Sequence, residues 1–309
     1  MMTSSCKAIG LGQCSLDFLG RVGGYPPSDC KVELDEVLIQ GGGPVATALV
    51  TLARLGVGTA FIGRVGGDDH GAKIRAGLES EGVDCRWLTV DPAGSSQVAF
   101  IVVDELGRRN IFWQRGSARP LAASDVDADL IGAAKVLHLD GLQPEASVAA
   151  ARAARERGVV TVLDGGTFRA GSAELLPLID HPVVSEKFAR QVGGADPHEA
   201  LSRLLDYGAR AATVTLGSRG SLTLAADGSR FRMPPFPVDA VDTTGCGDVF
   251  HGAYIHGLLE GWPLPATVRF AAACAALKTR ALGGRTAIAT LDEVRTFLAA
   301  NGAVRAERV

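Results

Sequence analysis

The residues best equipped for chemistry run from Asp242 to Asp248, DTTGCGD, and lead directly into the apolar stretch VFHGAYIHGLL. The small residues Thr244, Gly245, Cys246 and Gly247 let backbone N–H groups approach an anion closely. A helix opening at that point adds free N–H groups and the positive end of its dipole. Asp248 would stand beside the anion, where it can take the proton of an attacking hydroxyl. A cradle for negative charge with a base at its side suits phosphoryl transfer, in which positioning and electrostatics supply most of the catalysis. The plainer alternative is a first-turn Asp that only favours the helix dipole, after a Gly-x-Gly that only turns the chain. Asp242 and the two threonines ahead of the glycines argue for the cradle.

Such a turn needs a scaffold, and the rest of the chain reads as one. KAIGLG (7–12), TAFIGRVG (59–66), AKVLHLDG (134–141), VVTVLDGG (159–166), PVVSE (182–186) and AATVTLGSRG (211–220) are strand-like. Helical runs separate them, among them PVATALVTLARLG (44–56), HGAKIRAGLESEG (70–82), EASVAAARAARERG (145–158) and ADPHEALSRLLDYG (195–208). This alternation predicts an α/β fold, a doubly wound and mostly parallel sheet with ligands at the carboxyl ends of its strands. Residues 13–40 and 96–115 break the rhythm with alternating apolar and polar residues around hairpin-like turns. They predict a small antiparallel β lid projecting from a large domain made of 1–12, 41–95 and 116–309. The polar tail NGAVRAERV reads as frayed.

Composition excludes several functions. The chain has 309 residues, 47% hydrophobic and 21% charged, with a formal net charge of −3. That balance gives no reason to expect nucleic acid or a membrane surface as partner. No apolar run is long enough to span a bilayer, and the N-terminus lacks a signal-peptide apolar region, so a cytoplasmic protein is expected. The six cysteines form no CxxC pair or zinc spacing and read as free thiols. His251 and His256 are five residues apart and do not share a helix face.

The segments quoted above resemble the PfkB/ribokinase family of ATP-dependent carbohydrate kinases along nearly the whole chain. DTTGCGDVFHGA (242–253) matches its C-terminal motif, GGGPVATALVTLARLG (41–56) its N-terminal glycine motif, and VTLGSRG (214–220) its nucleotide segment. Within the family, GGGPVATA, VDTTGCGDVFHGA, VRFAAACAALK and LGGRTAI are similar to the sulfofructose kinases. The resemblance implies Asp248 as catalytic base and Gly245, Cys246 and Gly247 as the anion hole. It implies that Asp17, Gly42, Gly43 and Thr47 line the sugar pocket, Thr47 standing where the family commonly has Asn. It places Thr215, Gly217 and Gly220 at the nucleotide. Glu186 would organise water around Mg²⁺, although Val183 replaces the Asn of the family's NxxE element. Asp242 and Thr244 would bind a monovalent cation, K⁺. Lys31 matches a sulfonate-recognising lysine, whereas Trp113 and Leu142 stand where the sulfofructose kinases would carry Asn and Arg.

The residue types allow other roles. Asp17 can accept two hydroxyl hydrogen bonds or merely cap a turn. Lys31 can be a solvated edge charge, Glu186 an ion-pair partner, and Arg64 either a pocket residue or a structural ion pair. The function expected is ATP-dependent phosphorylation of a primary hydroxyl on a small sugar or sugar acid. A nucleoside kinase and a non-catalytic sugar-binding relative are the alternatives within the fold. A dinucleotide-dependent oxidoreductase would rest on GLGQCS (10–15), which lacks the third glycine of GxGxxG. An exposed lid sheet predicts a homodimer.

Overall fold

The computed structural model describes residues 6–309. In chain order its first half forms β1 (Ala8–Leu11), β2 (Ser15–Arg21), β3 (Glu36–Gly42), α1 (Pro44–Arg54), β4 (Thr59–Gly66), α2 (Asp69–Ser80), β5 (Leu88–Asp91), β6 (Val98–Val103), β7 (Arg109–Gln114), α3 (Ala128–Gly132), β8 (Val136–Leu139) and α4 (Pro144–Glu156). The second half forms β9 (Val160–Gly165), α5 (Ser172–Leu175), β10 (His181–Ser185), α6 (Glu186–Gly193), α7 (Pro197–Asp206), β11 (Ala211–Thr215), β12 (Ser221–Ala225), β13 (Arg230–Met233), α8 (Cys246–Leu259), α9 (Leu264–Lys278), α10 (Leu291–Ala300) and β14 (Glu307–Arg308).

Ten strands make one sheet in the order β14-β13-β12-β11-β10-β9-β8-β1-β4-β5. Every pairing from β11 to β5 is parallel, so the loops after β1, β8, β9, β10 and β11 all open on one edge. These strands are apolar on both faces because helices cover both faces. Val45, Leu49, Tyr254 and Phe270 pack the side bearing α1, α8 and α9. Leu137, Leu139, Ala150 and Leu201 pack the side bearing α4 and α7. Beyond β11 the sheet turns antiparallel. Its last strand, β14, takes in the C-terminal tail that the polar sequence suggested was frayed; Arg308 and Glu307 pair with Phe231 and Arg232. A two-residue edge strand carries too little pattern to be seen in sequence.

α8 is apolar around nearly its whole circumference, as a helix enclosed on all sides must be, and Val249 through Gly257 are buried. This fixes the helix whose first turn carries the cradle. It is held against α1 and α9 and cannot tilt without opening the core.

The lid is a separate four-stranded sheet, β3-β2-β6-β7. Its outer pairings are antiparallel and the central one, β2 with β6, is parallel. The parallel pairing arises because β2 and β6 both leave the large domain in the same direction from separate insertions. Alternation along the strands gives the lid two faces. The cross-strand rows Gln40–Asp17–Ala99–Trp113 and Leu38–Leu19–Ile101–Ile111 lie on one face, which packs through Leu19, Leu38 and Ile101 on Leu282 of the large domain. The opposite face carries the row Ile39–Phe18–Phe100–Phe112.

Candidate active site

The cradle lies at the start of α8. Gly245 is the N-cap residue and adopts φ 74°, a left-handed conformation that costs other residues energy. A Cβ there would also lie 2.8 Å from Gly284 Cα. The Cys246 N–H donates to Thr243 O at 3.3 Å, whereas the N–H groups of Gly245, Gly247 and Asp248 have no protein acceptor among the described residues. Of the three peptides expected to form the anion hole, the middle one is thus turned into the loop, and the Asp248 amide is free. A Cβ on Gly247 would meet nothing within 4 Å, so this turn faces open space.

Asp248 makes no hydrogen bond or ion pair with protein among the described residues. Its surroundings push its carboxyl up to about 7, by burial first and the Asp164 charge second, opposed by His251 and Arg109 and reinforced by Asp17. Asp164 ends β9 and Asp140 follows β8, both at the carboxyl edge where α8 begins. The His251 Nδ1 lies 3.4 Å from Asp164 Oδ2 and 2.6 Å from Gly247 O, and its Nε2 lies 2.9 Å from Val183 O. One ring therefore ties the cradle loop to β9 and β10. Asp140 accepts from Gln13 N–H at 2.7 Å and Leu142 N–H at 2.9 Å, which closes the loops after β1 and β8. Burial pushes its carboxyl to about 7 as well.

On the lid side, Asp17 is buried on β2 and accepts from Ser15 Oγ at 2.6 Å. Burial raises its carboxyl; Ser15 and Arg285 oppose the shift. A Cβ on Gly42 would overlap the Asp17 carboxylate, so the glycine makes room for it. Gly43 caps the start of α1. Thr47 is buried, and its Oγ1 accepts from Arg285 Nε at 3.3 Å, while Arg285 Nη2 donates to Gly42 O at 3.1 Å. Arg285 thus connects two expected sugar-site positions from 238 residues further along the chain than Thr47. Lys31 lies exposed in the irregular segment between β2 and β3 and makes no hydrogen bond or ion pair with protein among the described residues. Two lid arginines reach the large domain: Arg109 Nη1 donates to Thr243 Oγ1 at 2.7 Å, and Arg115 Nη2 to Leu142 O at 3.2 Å. Arg64 is a structural ion pair, with Nη2 2.8 Å from Asp125 and Nη1 donating to Pro120 O at 3.1 Å.

The remaining expected residues lie along the same edge. Thr215 ends β11, its Oγ1 donating to Val184 O at 3.3 Å, and Gly217 and Gly220 shape the short turn after it. Glu186 opens α6, and its carboxylate is paired with Arg190 and, at 2.6 Å, with Arg219 from that turn. The Arg219 hydrogen bond is the main cause holding its pKa below the usual range. Asp242 and Thr244, expected to hold a monovalent cation, form a different arrangement. Asp242 accepts from Thr244 N–H and Gly283 N–H, both at 2.7 Å, and the Lys278 ammonium lies 3.9 Å from its Oδ2.

Residues 7–291 match the pfkB family of carbohydrate kinases. The chain belongs to that family. It is 31% identical over 294 residues to an ATP-dependent ribose-1-phosphate kinase from Halopiger xanaduensis, covering 94% of this chain and 98% of the relative. A Haemophilus influenzae ribokinase is 31% identical over 271 residues, 83% of this chain and 87% of that protein. Among solved structures, an E. coli protein assigned as a ribokinase II and determined with ATP and Mg²⁺ superposes with TM-score 0.84 at 25% identity, covering 95% of this chain and 99% of that one. This pfkB family member is an ATP-dependent phosphotransferase with the ribokinase-like fold. No helix among the described residues is long and apolar enough to cross a membrane.

Asp140, Asp164, Arg285 and Lys278 are not marked by sequence spacing, because partners 36 to 238 residues apart share no local pattern. Two of them had a readable signal. Asp140 and Asp164 each follow an apolar run and precede a glycine, LDG, at strand ends that had been recognised.

Proposed function

We propose that this kinase transfers the γ-phosphoryl group of ATP to a primary hydroxyl of a small sugar or sugar acid. The observation that carries the reading is the Asp248 carboxylate, unpartnered among the described residues, beside the N–H groups of Gly247 and Asp248, which are likewise unpartnered there. Asp248 takes the hydroxyl proton as the new O–P bond forms, and the amides of Gly245, Gly247 and Asp248 hold charge developing on the phosphoryl oxygens. Asp17, with Gly42, Gly43 and Thr47 behind it, orients the sugar hydroxyls, and Lys31 is drawn in only if the lid segment folds over an anionic group. Trp113, in the same lid row as Asp17, offers an apolar face to the ring. Thr215, Gly217 and Gly220 line the nucleotide. Glu186 fits a role in holding hydrated Mg²⁺, since a carboxylate has about four lone-pair sites and the two arginines leave some free. The ion would neutralise charge on the phosphates.

ATP turnover should be measured with fructose, ribose, ribose 1-phosphate, sulfofructose, 2-keto-3-deoxygluconate and adenosine. Turnover with one or more sugars is expected. Turnover with adenosine alone would replace the sugar by a nucleoside, and no turnover with any acceptor would favour the non-catalytic reading. The exposed lid residues Ile39, Phe100 and Phe112 support a homodimer formed through this sheet.

A further inference from the structure

The place the family resemblance reserves for a monovalent cation is already occupied by a side chain. Lys278, in the last turn of α9, and Asp242 are both fully buried. The Lys278 Nζ donates to Asp242 O at 2.8 Å and stands 3.9 Å from Asp242 Oδ2. Both carboxylate oxygens also accept backbone amides, from Thr244 and Gly283. The Thr279 carbonyl, one residue beyond Lys278, accepts the N–H groups of Val241 and Asp242 at 2.7 and 3.1 Å. Among the described residues, Thr244 Oγ1 is the one buried side-chain oxygen of the two expected ligands without a partner, and one hydroxyl is not a coordination shell. An ion entering here would meet a fixed positive charge at close range. These residues do not fit potassium.

We infer that Lys278 supplies from within the chain the positive charge that a monovalent ion would bring to the phosphoryl cradle, so that the kinase works without potassium. The ammonium is favourably placed for this. It lies at the C-terminal, negative end of a 15-residue helix, and a buried carboxylate faces it. Burial lowers its pKa, and the Asp242 and Cys246 sides raise it; Arg109 opposes and Asp248 supports the charged form. Its bond to Asp242 O fixes the peptide that leads through Thr243 and Thr244 into Gly245. Lys278 is therefore a positioning residue: it acts on the cradle through Asp242 and through its charge, without touching substrate.

The test rests on the kinase reading above. Turnover of the full chain with its best acceptor is compared in tetramethylammonium, sodium, potassium and ammonium salts at equal ionic strength. Unchanged kcat across the series is expected, and activation by potassium would overturn the inference. K278M should lose about tenfold or more in kcat and regain part of it in potassium or ammonium, which fit the vacated space, but not in tetramethylammonium. A folded K278M that no small cation rescues would make the lysine merely structural and would also overturn the inference. If K278M does not fold, the wild-type series decides alone. If no acceptor is turned over, the function proposed above fails, and the same salt comparison on ATP-induced thermal stabilisation still decides the role of Lys278.

Discussion

Asp248 is half-buried and makes no hydrogen bond or ion pair with protein among the described residues. Its proton affinity is raised mainly by burial and then by Asp164, which places it where a general base is most effective near neutral pH. D248N should reduce turnover by roughly 10²- to 10⁴-fold while leaving ATP binding, measured by calorimetry, nearly intact. A variant keeping more than about a tenth of wild-type turnover would contradict the base assignment. Because the raised group must be ionised to act, kcat/KM for the sugar should fall as pH drops below about 7. In D164N that limb should move to lower pH, since a neighbouring negative charge has been removed. A pH profile of each protein checks both. The proposed base and cradle were candidates in the sequence because a run of small residues between two aspartates has few other uses. Asp164 and Lys278 were not, because their meaning comes from contacts made only after folding.

At the level of elements, the parallel strands and their helices were readable from alternation and length, which is why the carboxyl edge could be proposed as the ligand site. β12 escaped because a short run buried along its whole length shows no alternation, and β13 and β14 because short, exposed strands carry weak periodicity. The lid was readable from its two insertions, but which of its faces meets the pocket depended on register. That register puts Asp17 and Trp113 in one row and brings Arg109, on the same face, to Thr243. R109M should therefore lower kcat/KM for the sugar by about tenfold, the effect of losing one charge-assisted hydrogen bond, with little change in melting temperature. An unchanged kcat/KM would mean that the Arg109–Thr243 contact is incidental. The other face presents Phe100 and Phe112, both more than half exposed. F112D should shift the protein to monomer in sedimentation experiments if this face joins two copies.

For the whole molecule, the carboxylates gathered around the proposed site weaken the ligand-free fold. Asp17, Asp140, Asp164 and Asp248 all have pKa values raised by burial. A carboxyl whose folded pKa exceeds its unfolded one binds more protons in the native state, so its contribution to stability falls as pH rises from about 4 through its folded value. D248N should therefore melt above wild type at pH 8, and the gap should narrow as pH is lowered and close by about 4. A gap that widened in acid would contradict the assigned sign. This is the exchange of stability for activity expected of a preorganised site.

The loop Leu282–Gly283–Gly284 touches both parts of that site. Leu282 lies beneath the lid sheet, Gly283 N–H holds Asp242, and Gly284 lies against Gly245. On the function proposed above, a sugar that drew the lid sheet down would press on these three residues. The acceptor would then complete the machinery that attacks ATP, and water, which cannot pull on the lid, would not. The enzyme should spend little nucleotide in futile hydrolysis while it waits for its sugar.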